Sequence, residues 1–268
     1  MTDQLLFSGS IPENYDRYLG PYLFEPYAVD IVQRIKKQDC RMMLELACGT
    51  GRVTRHIVDA LCENGRLIAT DINKDMLAVA KTKVGDSRVQ WDVTDAQNLS
   101  FADNTFDHVI CQFGVMFFPD KPRAFEEVNR VLARSGIYIF NTWGSLDQNK
   151  WTAVIHDVMD EVFKNEAPDF LQNGPYSFND TSVIKAQLTA AGFTHIAIEP
   201  VKKVITYPNS EEFIKGFLTG TPLSMFFKNR DGSAVELVKQ KLKQSLQQQF
   251  GDNCTSEMLA YVCTATKE

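Results

Sequence analysis

Three carboxylates and two glycines pose the chemical question. Residues 44–52 read LELACGTGR, which sets Glu45 inside an apolar run and places Gly49 and Gly51 in the turn that ends it. Asp71 closes a second apolar run, RLIATD, and Asp95 stands in WDVTDAQNL after a third. Glycine lets a backbone approach a ligand closely, and a helix starting after the turn offers unpaired N–H groups, so a nucleotide is the first ligand to consider. An acid about twenty residues beyond the turn, at a strand end, is placed to accept from ribose hydroxyls, which serves any adenosine ligand. The other two acids narrow the choice. Glu45 would repel a pyrophosphate but attract an ammonium group, and Asp95 suits the amino group of adenine. A dinucleotide turn also expects a third glycine where this chain has Thr54.

These residues need buried strands to carry them and helices to cover the strands. From residue 42 to about 143, short apolar runs alternate with helical periodicity, the pattern of an α/β, doubly wound, Rossmann-like sheet. Residues 42–47 read as the first strand, followed by a helix with Val53, Ile57, Val58 and Leu61 on one face. RLIAT makes the second strand, and Asn73 caps a helix striped by Met76, Leu77, Ala80 and Val84. RVQW and FDHVICQ are the third and fourth strands. Asp120 caps the next helix with Pro122 in its first turn; Ala124, Phe125, Val128, Val131 and Leu132 face inward, and Ser135-Gly136 is expected to close it before the strand IYIFNTW.

Beyond Trp143 the spacing predicts a polar loop, a helix over 151–164, an irregular stretch to 180 and a helix capped by Asp180 or Thr181 that ends at Gly192. One or two strands over 194–207, helices from Ser210 and over 233–250, and a last strand over 257–266 complete the chain. The expected organisation is one domain with four parts: an N-terminal cap segment (1–40), a binding core (41–143), a helical insertion over the active site (144–180) and the remainder of the same sheet (181–268). The cap contains Tyr15, Tyr18, Tyr22, Phe24 and Tyr27. Such a cluster either packs on the core or folds as a lid over the carboxyl edge of the sheet.

Composition sets the outer bounds. With 268 residues, 44% hydrophobic and 23% charged, the chain suits one elaborated globular domain. It has no apolar run of the roughly 20 residues that cross a bilayer and no signal-peptide-like start, so no membrane role and a cytoplasmic setting are expected. Cys40, Cys48, Cys62, Cys111, Cys254 and Cys263 form no C-x-x-C pair and read as reduced structural thiols. The four histidines form no H-x-x-x-H pair, so no metal is expected. A net charge of −6 argues against nucleic acid and for a small-molecule substrate. Oligomeric state is not legible.

LELACGTGR, Asp71-Ile72, DAQNLSFADNTFD (95–107) and AFEEVNRVLARSGIYIF (124–140) together resemble the class I S-adenosylmethionine-dependent methyltransferases. The resemblance is to the small-molecule group that includes the ubiquinone and menaquinone biosynthesis enzymes. It spans about residues 40–143, and AAGF (190–193) fits the family's closing region. The resemblance implies S-adenosyl-L-methionine as cofactor and a seven-stranded, mostly parallel sheet with an antiparallel last strand. It implies that Glu45 and the backbone around Ala47, Gly49 and Gly51 hold the methionine part. Asp71 would take the ribose hydroxyls, with Ile72 and Met76 flanking the adenine. The Asp95 carboxylate and the Ala96 N–H would read the adenine edge, Gln112 would lie near the sulfonium, and Tyr18 would reach the cofactor from the cap.

Methyl transfer from a sulfonium is an in-line displacement, and a base is needed only if the acceptor must lose a proton. No catalytic residue stands out. His156, Tyr176 and Trp143 are candidates to meet the substrate, because the insertion should overhang the active edge. The Asn/Asp-Pro-Pro-Tyr motif of nucleic-acid amino methylation is absent, and the fourth strand runs instead into CQFGVMFFPD. Phe113, Phe117, Phe118 and the SMFF stretch (224–227) suggest an apolar or aromatic acceptor. Two other readings stay open: a nicotinamide-dependent oxidoreductase on the same sheet, and a non-catalytic S-adenosylmethionine-binding protein.

Overall fold

Every apolar run expected to form a strand does so. The computed structural model describes residues 7, 9–35, 41–228, 230–252 and 254–268; Cys40 and the start of the cap lie outside them. The sheet consists of β1 (Met42–Glu45), β2 (Arg66–Asp71), β3 (Val89–Val93), β4 (Phe106–Gln112), β5 (Leu132–Trp143), β6 (Phe193–Thr206) and β7 (Thr255–Lys267). Their order is β3-β2-β1-β4-β5-β7-β6. β1 to β5 run parallel, and β7 is antiparallel to both β5 and β6. The order reverses between β1 and β4, so a crevice opens at their carboxyl ends, where open α/β sheets take ligands.

The helices are α1 (Ile11–Asn14), α2 (Glu25–Gln33), α3 (Arg52–Ala60), α4 (Lys74–Lys83), α5 (Lys121–Val131), α6 (Lys150–Phe163), α7 (Phe170–Asn173), α8 (Thr181–Ala190), α9 (Ser210–Gly220), α10 (Leu223–Phe227) and α11 (Gly232–Phe250). A π-helical segment, Tyr15–Phe24, joins α1 to α2 and contains Pro21. Strand alternation supplies two apolar faces. On β5, Ile137 and Ile139 pack with Ile31 of α2, Ile57 of α3 and Leu77 of α4. Tyr138 and Phe140 pack with Phe125 of α5 and Leu188 of α8. None of the described helices is long and apolar enough to cross a membrane.

The expected caps form. Asn73 accepts from the N–H groups of Asp75 and Met76, Asp120 from that of Arg123, and Asp180 from those of Ser182 and Val183. Ser135-Gly136 does not close α5, which ends at Val131. β5 starts at Leu132, and its pairing with β4 jumps from Phe106↔Leu132 to His108↔Ile137. Residues 133–136 are therefore a bulge, with Ser135 at φ 62°. β1 also ends two residues early, because Ala47 turns to φ 51° to launch the glycine turn. Residues 194–207 give one long strand rather than two, and the stretch after α6 holds the short α7.

Candidate active site

The glycine turn is built around two buried acids. Gly51 enters α3 in the left-handed region at φ 79°, and a Cβ there would lie 3.1 Å from the Ala80 Cβ, so glycine answers both demands. Glu45, 1% exposed, accepts from Thr54 Oγ1 at 2.7 Å. The residue that replaces the third glycine is thus the hydroxyl partner of the acid in β1. Burial pushes the Glu45 carboxyl up to about 8, against the Thr54 hydrogen bond and with the help of the nearby Asp71 charge. Asp71 accepts from Gly49 N–H at 2.8 Å and from Asn73 N–H at 2.8 Å. Burial still lifts it to about 6 despite these backbone bonds. Two buried carboxyls, one of them raised further by the charge of the other, make a place where a positive ligand is favoured.

A cavity of about 530 Å³ opens at this point, within the range of small-molecule sites. Asp71, Ile72, Met76, Asp95 and Ala96 line one end. Ala47, Gly49, Gln112 and Phe113 line the middle, and Phe7, Tyr15, Phe117 and Phe118 form an aromatic wall. Asp95 also organises its own turn, accepting from the Gln97 N–H at 2.9 Å. Gln112 donates from Nε2 to the Phe24 carbonyl at 3.3 Å, which leaves its Oε1 buried without a partner. Phe113 leaves β4 at φ 51°, and its N–H is held by Asn141 Oδ1 at 2.8 Å. Another hollow, of about 590 Å³ beside Lys150 and Glu257, shares no residue with this cavity.

A methyltransferase-domain family model matches residues 44–140. The demethylmenaquinone methyltransferase of Staphylococcus epidermidis is 27% identical over 206 residues, spanning 70% of this chain and 84% of that protein. The chain is a class I S-adenosylmethionine-dependent methyltransferase. The fold of this methyltransferase matches a putative methyltransferase from Bacillus halodurans with a TM-score of 0.58 at 18% identity, covering 90% of this chain and 98% of that one. It also matches phosphoethanolamine N-methyltransferase 2 of Haemonchus contortus, in complex with S-adenosyl-L-methionine, with a TM-score of 0.60 at 18% identity, covering 96% and 56%. The residues present fit the cofactor: the paired buried carboxyls suit its cationic groups, and the orphaned Gln112 Oε1 adjoins the same cavity.

In this methyltransferase the cavity gathers Ala47, Gly49, Asp71, Ile72, Met76, Asp95, Ala96 and Gln112. Glu45 lies beneath the turn and Gly51 behind it, neither in the cavity wall. Four other residues are placed elsewhere. Tyr18 is buried against α9, with the Lys215 ammonium 4.7 Å from its ring centre, and Tyr15 lines the cavity in its stead. Trp143 stacks on Phe113 at 3.9 Å and meets Tyr176 at 6.2 Å, one layer behind the wall. The Tyr176 hydroxyl accepts from Thr152 Oγ1 at 2.7 Å. His156 bonds Gln172 at 2.7 Å on α6 and has no place in the cavity lining. Sequence reasoning missed Thr54 and Phe7 as site residues. The broken glycine motif was the available signal for Thr54, whereas Phe7 is placed by a contact 66 positions away, its carbonyl accepting from Asn73 Nδ2 at 3.0 Å.

Proposed function

We propose that this enzyme holds S-adenosyl-L-methionine in the cavity beneath the cap and passes its methyl group to a small apolar or aromatic acceptor. The carrying observation is the pair of buried acids, Glu45 and Asp71, lifted to about 8 and 6 where a cation would return them to their charged forms. In this reading the backbone of Ala47 and Gly49 holds the methionine part, Glu45 and Gly51 shape that turn from beneath and behind it, and Asp71 takes the ribose hydroxyls. Ile72 and Met76 flank the adenine, Asp95 and Ala96 read its edge, and Gln112 faces the sulfonium side. When bound, the cofactor supplies an electrophilic methyl on positively charged sulfur. The chain's own residues then align the acceptor and keep water out, a service that lowers barriers by up to ~7–11 kcal/mol in the best intramolecular cases.

The aromatic wall of Tyr15, Phe113, Phe117 and Phe118 supports an apolar acceptor, as do relatives named for demethylmenaquinone. Trp143 and Tyr176 back that wall, and Tyr18 serves it through the cap. His156 takes no proton in this scheme. The four chain parts, 1–40, 41–143, 144–180 and 181–268, act as cap, cofactor core, insertion and sheet extension of one domain. A cytoplasmic setting belongs to the same proposal, supported by the buried thiols Cys48, Cys111, Cys254 and Cys263, which suit a reducing compartment.

Thermal melting with ligands tests the reading. S-adenosylhomocysteine at 100 times its dissociation constant should add about 2.7 kcal/mol of stability, and NADH none. Asp71→Ala should cut that affinity by ~1–3 kcal/mol, the cost of losing charge-assisted hydrogen bonds. Stabilisation by NADH alone, or an unchanged affinity in Asp71→Ala, would overturn the assignment. Labelled methyl donor and a panel of phenols, quinols and amines then identify the acceptor.

A further inference from the structure

The cap and the glycine turn are joined by charge. Asp16, in the π-helical segment, accepts at Oδ1 from Thr50 Oγ1 at 2.8 Å and from Arg52 Nη2 at 3.1 Å, and its Oδ2 pairs with the Lys83 ammonium. Arg52 also donates to the Asp16 carbonyl at 3.1 Å and, through Nη1, to Glu25 at 2.9 Å. Glu25 in turn pairs with Arg55 and bonds His56 Nε2 at 2.7 Å. Thr50 and Arg52 flank Gly51, so these contacts bear directly on the turn whose Gly49 N–H is tied to Asp71.

Two details separate this network from ordinary surface pairing. The Arg52 and Asp16 side chains are 11% and 14% exposed, so water screens them far less than the exposed pairs that contribute little. The guanidinium also lies against the backbone of Gly20. A Cβ at that position would stand 2.2 Å from Nη2, so a side chain there displaces Arg52 from its acids. Tyr15, one residue before Asp16, lines the cavity. One helical turn therefore places an aromatic ring in the ligand's wall and an acid on the ligand's turn.

We infer that Asp16, with Arg52 and Glu25, is a positioning residue for the cofactor: the seated cap sets the glycine turn, so that cap ordering and cofactor binding reinforce each other. The inference rests on the cofactor reading above. Coupling of this kind is reciprocal, so cofactor product must tighten the cap by the factor with which the cap tightens the product. A network that merely holds the fold would alter overall stability and leave that factor at one.

The test combines calorimetric titration of S-adenosylhomocysteine with hydrogen exchange over residues 11–33, in the wild type, Asp16→Asn and Gly20→Ala. In the wild type, the ligand should slow exchange in the cap. Both variants should bind about tenfold more weakly, within the usual range for coupled sites, and lose most of that slowing. Exchange in β1, β2 and β4 should match the wild type, which separates lost positioning from lost folding. Wild-type affinity in both variants, or a cap whose exchange ignores the ligand, overturns the coupling. Absence of binding to the wild type overturns the cofactor reading as well, an outcome distinct from the first two.

Discussion

At the scale of single residues, Glu45 and Thr54 form the most informative pair in the chain. An acid in a buried strand and a missing third glycine look like separate departures from a nucleotide turn. In the structure they are one hydrogen bond of 2.7 Å. The raised Glu45 carboxyl gives a pH dependence with a definite sign. Its folded value of about 8 lies above the ordinary glutamate value of 4.5, so the folded state prefers the protonated form. The ligand-free protein should have this contribution in full below about pH 4.5 and lose it progressively up to about pH 8, at up to ~1.4 kcal/mol per pH unit. Asp71 adds a loss in the same direction at lower pH, as its carboxyl is lifted from 3.8 to about 6. Melting midpoints of the wild type and Glu45→Gln, measured from pH 5 to 8, should therefore diverge as pH rises, with the wild type falling faster. Parallel profiles would mean that Glu45 titrates normally. Residue types alone made these acids legible. They did not reveal that Tyr15, rather than Tyr18, turns toward the cavity, because the π-helical winding of Tyr15–Phe24 breaks the 3.6-residue period on which facing is judged.

At the scale of elements, legibility follows how local the deciding interaction is. Asn73 and Asp120 cap their helices through bonds two or three residues away, and both were readable from spacing. The bulge at residues 133–136 was not. Ser-Gly after a helical stripe is an ordinary stop signal, and only pairing of Leu132 with Phe106 draws that stretch into β5. The Lys267 ammonium, hydrogen-bonded to the carbonyls of Arg130 at 3.2 Å and Leu132 at 2.8 Å, reinforces the junction from the far end of the chain. The glycine turn yields this scale's prediction. Gly51→Ala places a Cβ on a residue at φ 79° and 3.1 Å from the Ala80 Cβ, so unfolding in urea should show a loss of ~1–2 kcal/mol from the left-handed backbone alone. Unchanged stability would show that the turn relaxes freely.

At the scale of the molecule, the cap is tied to distant parts of the sheet, and no local pattern announces this. Tyr27, fully buried in α2, donates its hydroxyl to the Met258 carbonyl of β7 at 2.8 Å while its ring meets Phe113 edge-on at 5.4 Å. Tyr27→Phe keeps the ring and removes the donor, so it should cost about 1 kcal/mol, read as a melting shift of ~2–4 °C. A shift near zero would mean that the carbonyl finds another donor. The aromatic richness of residues 11–28 was visible in the sequence. Its division into a part packed on α9, a part pinned to β7 and a part facing the cavity depends on partners up to 231 positions away.

The position of β7 has a consequence for how the chain is made. β6 meets the sheet only through β7, which lies between it and β5. During synthesis from the N-terminus, β1 to β5 can assemble while β6 emerges with no neighbour to join, its long edge unpaired until the last thirteen-residue strand inserts. Because Tyr27 donates to Met258 in that same strand, α2 completes its packing only once β7 is in place. Order of synthesis and order of assembly thus diverge, because a tyrosine of α2 waits for a strand residue 231 positions downstream.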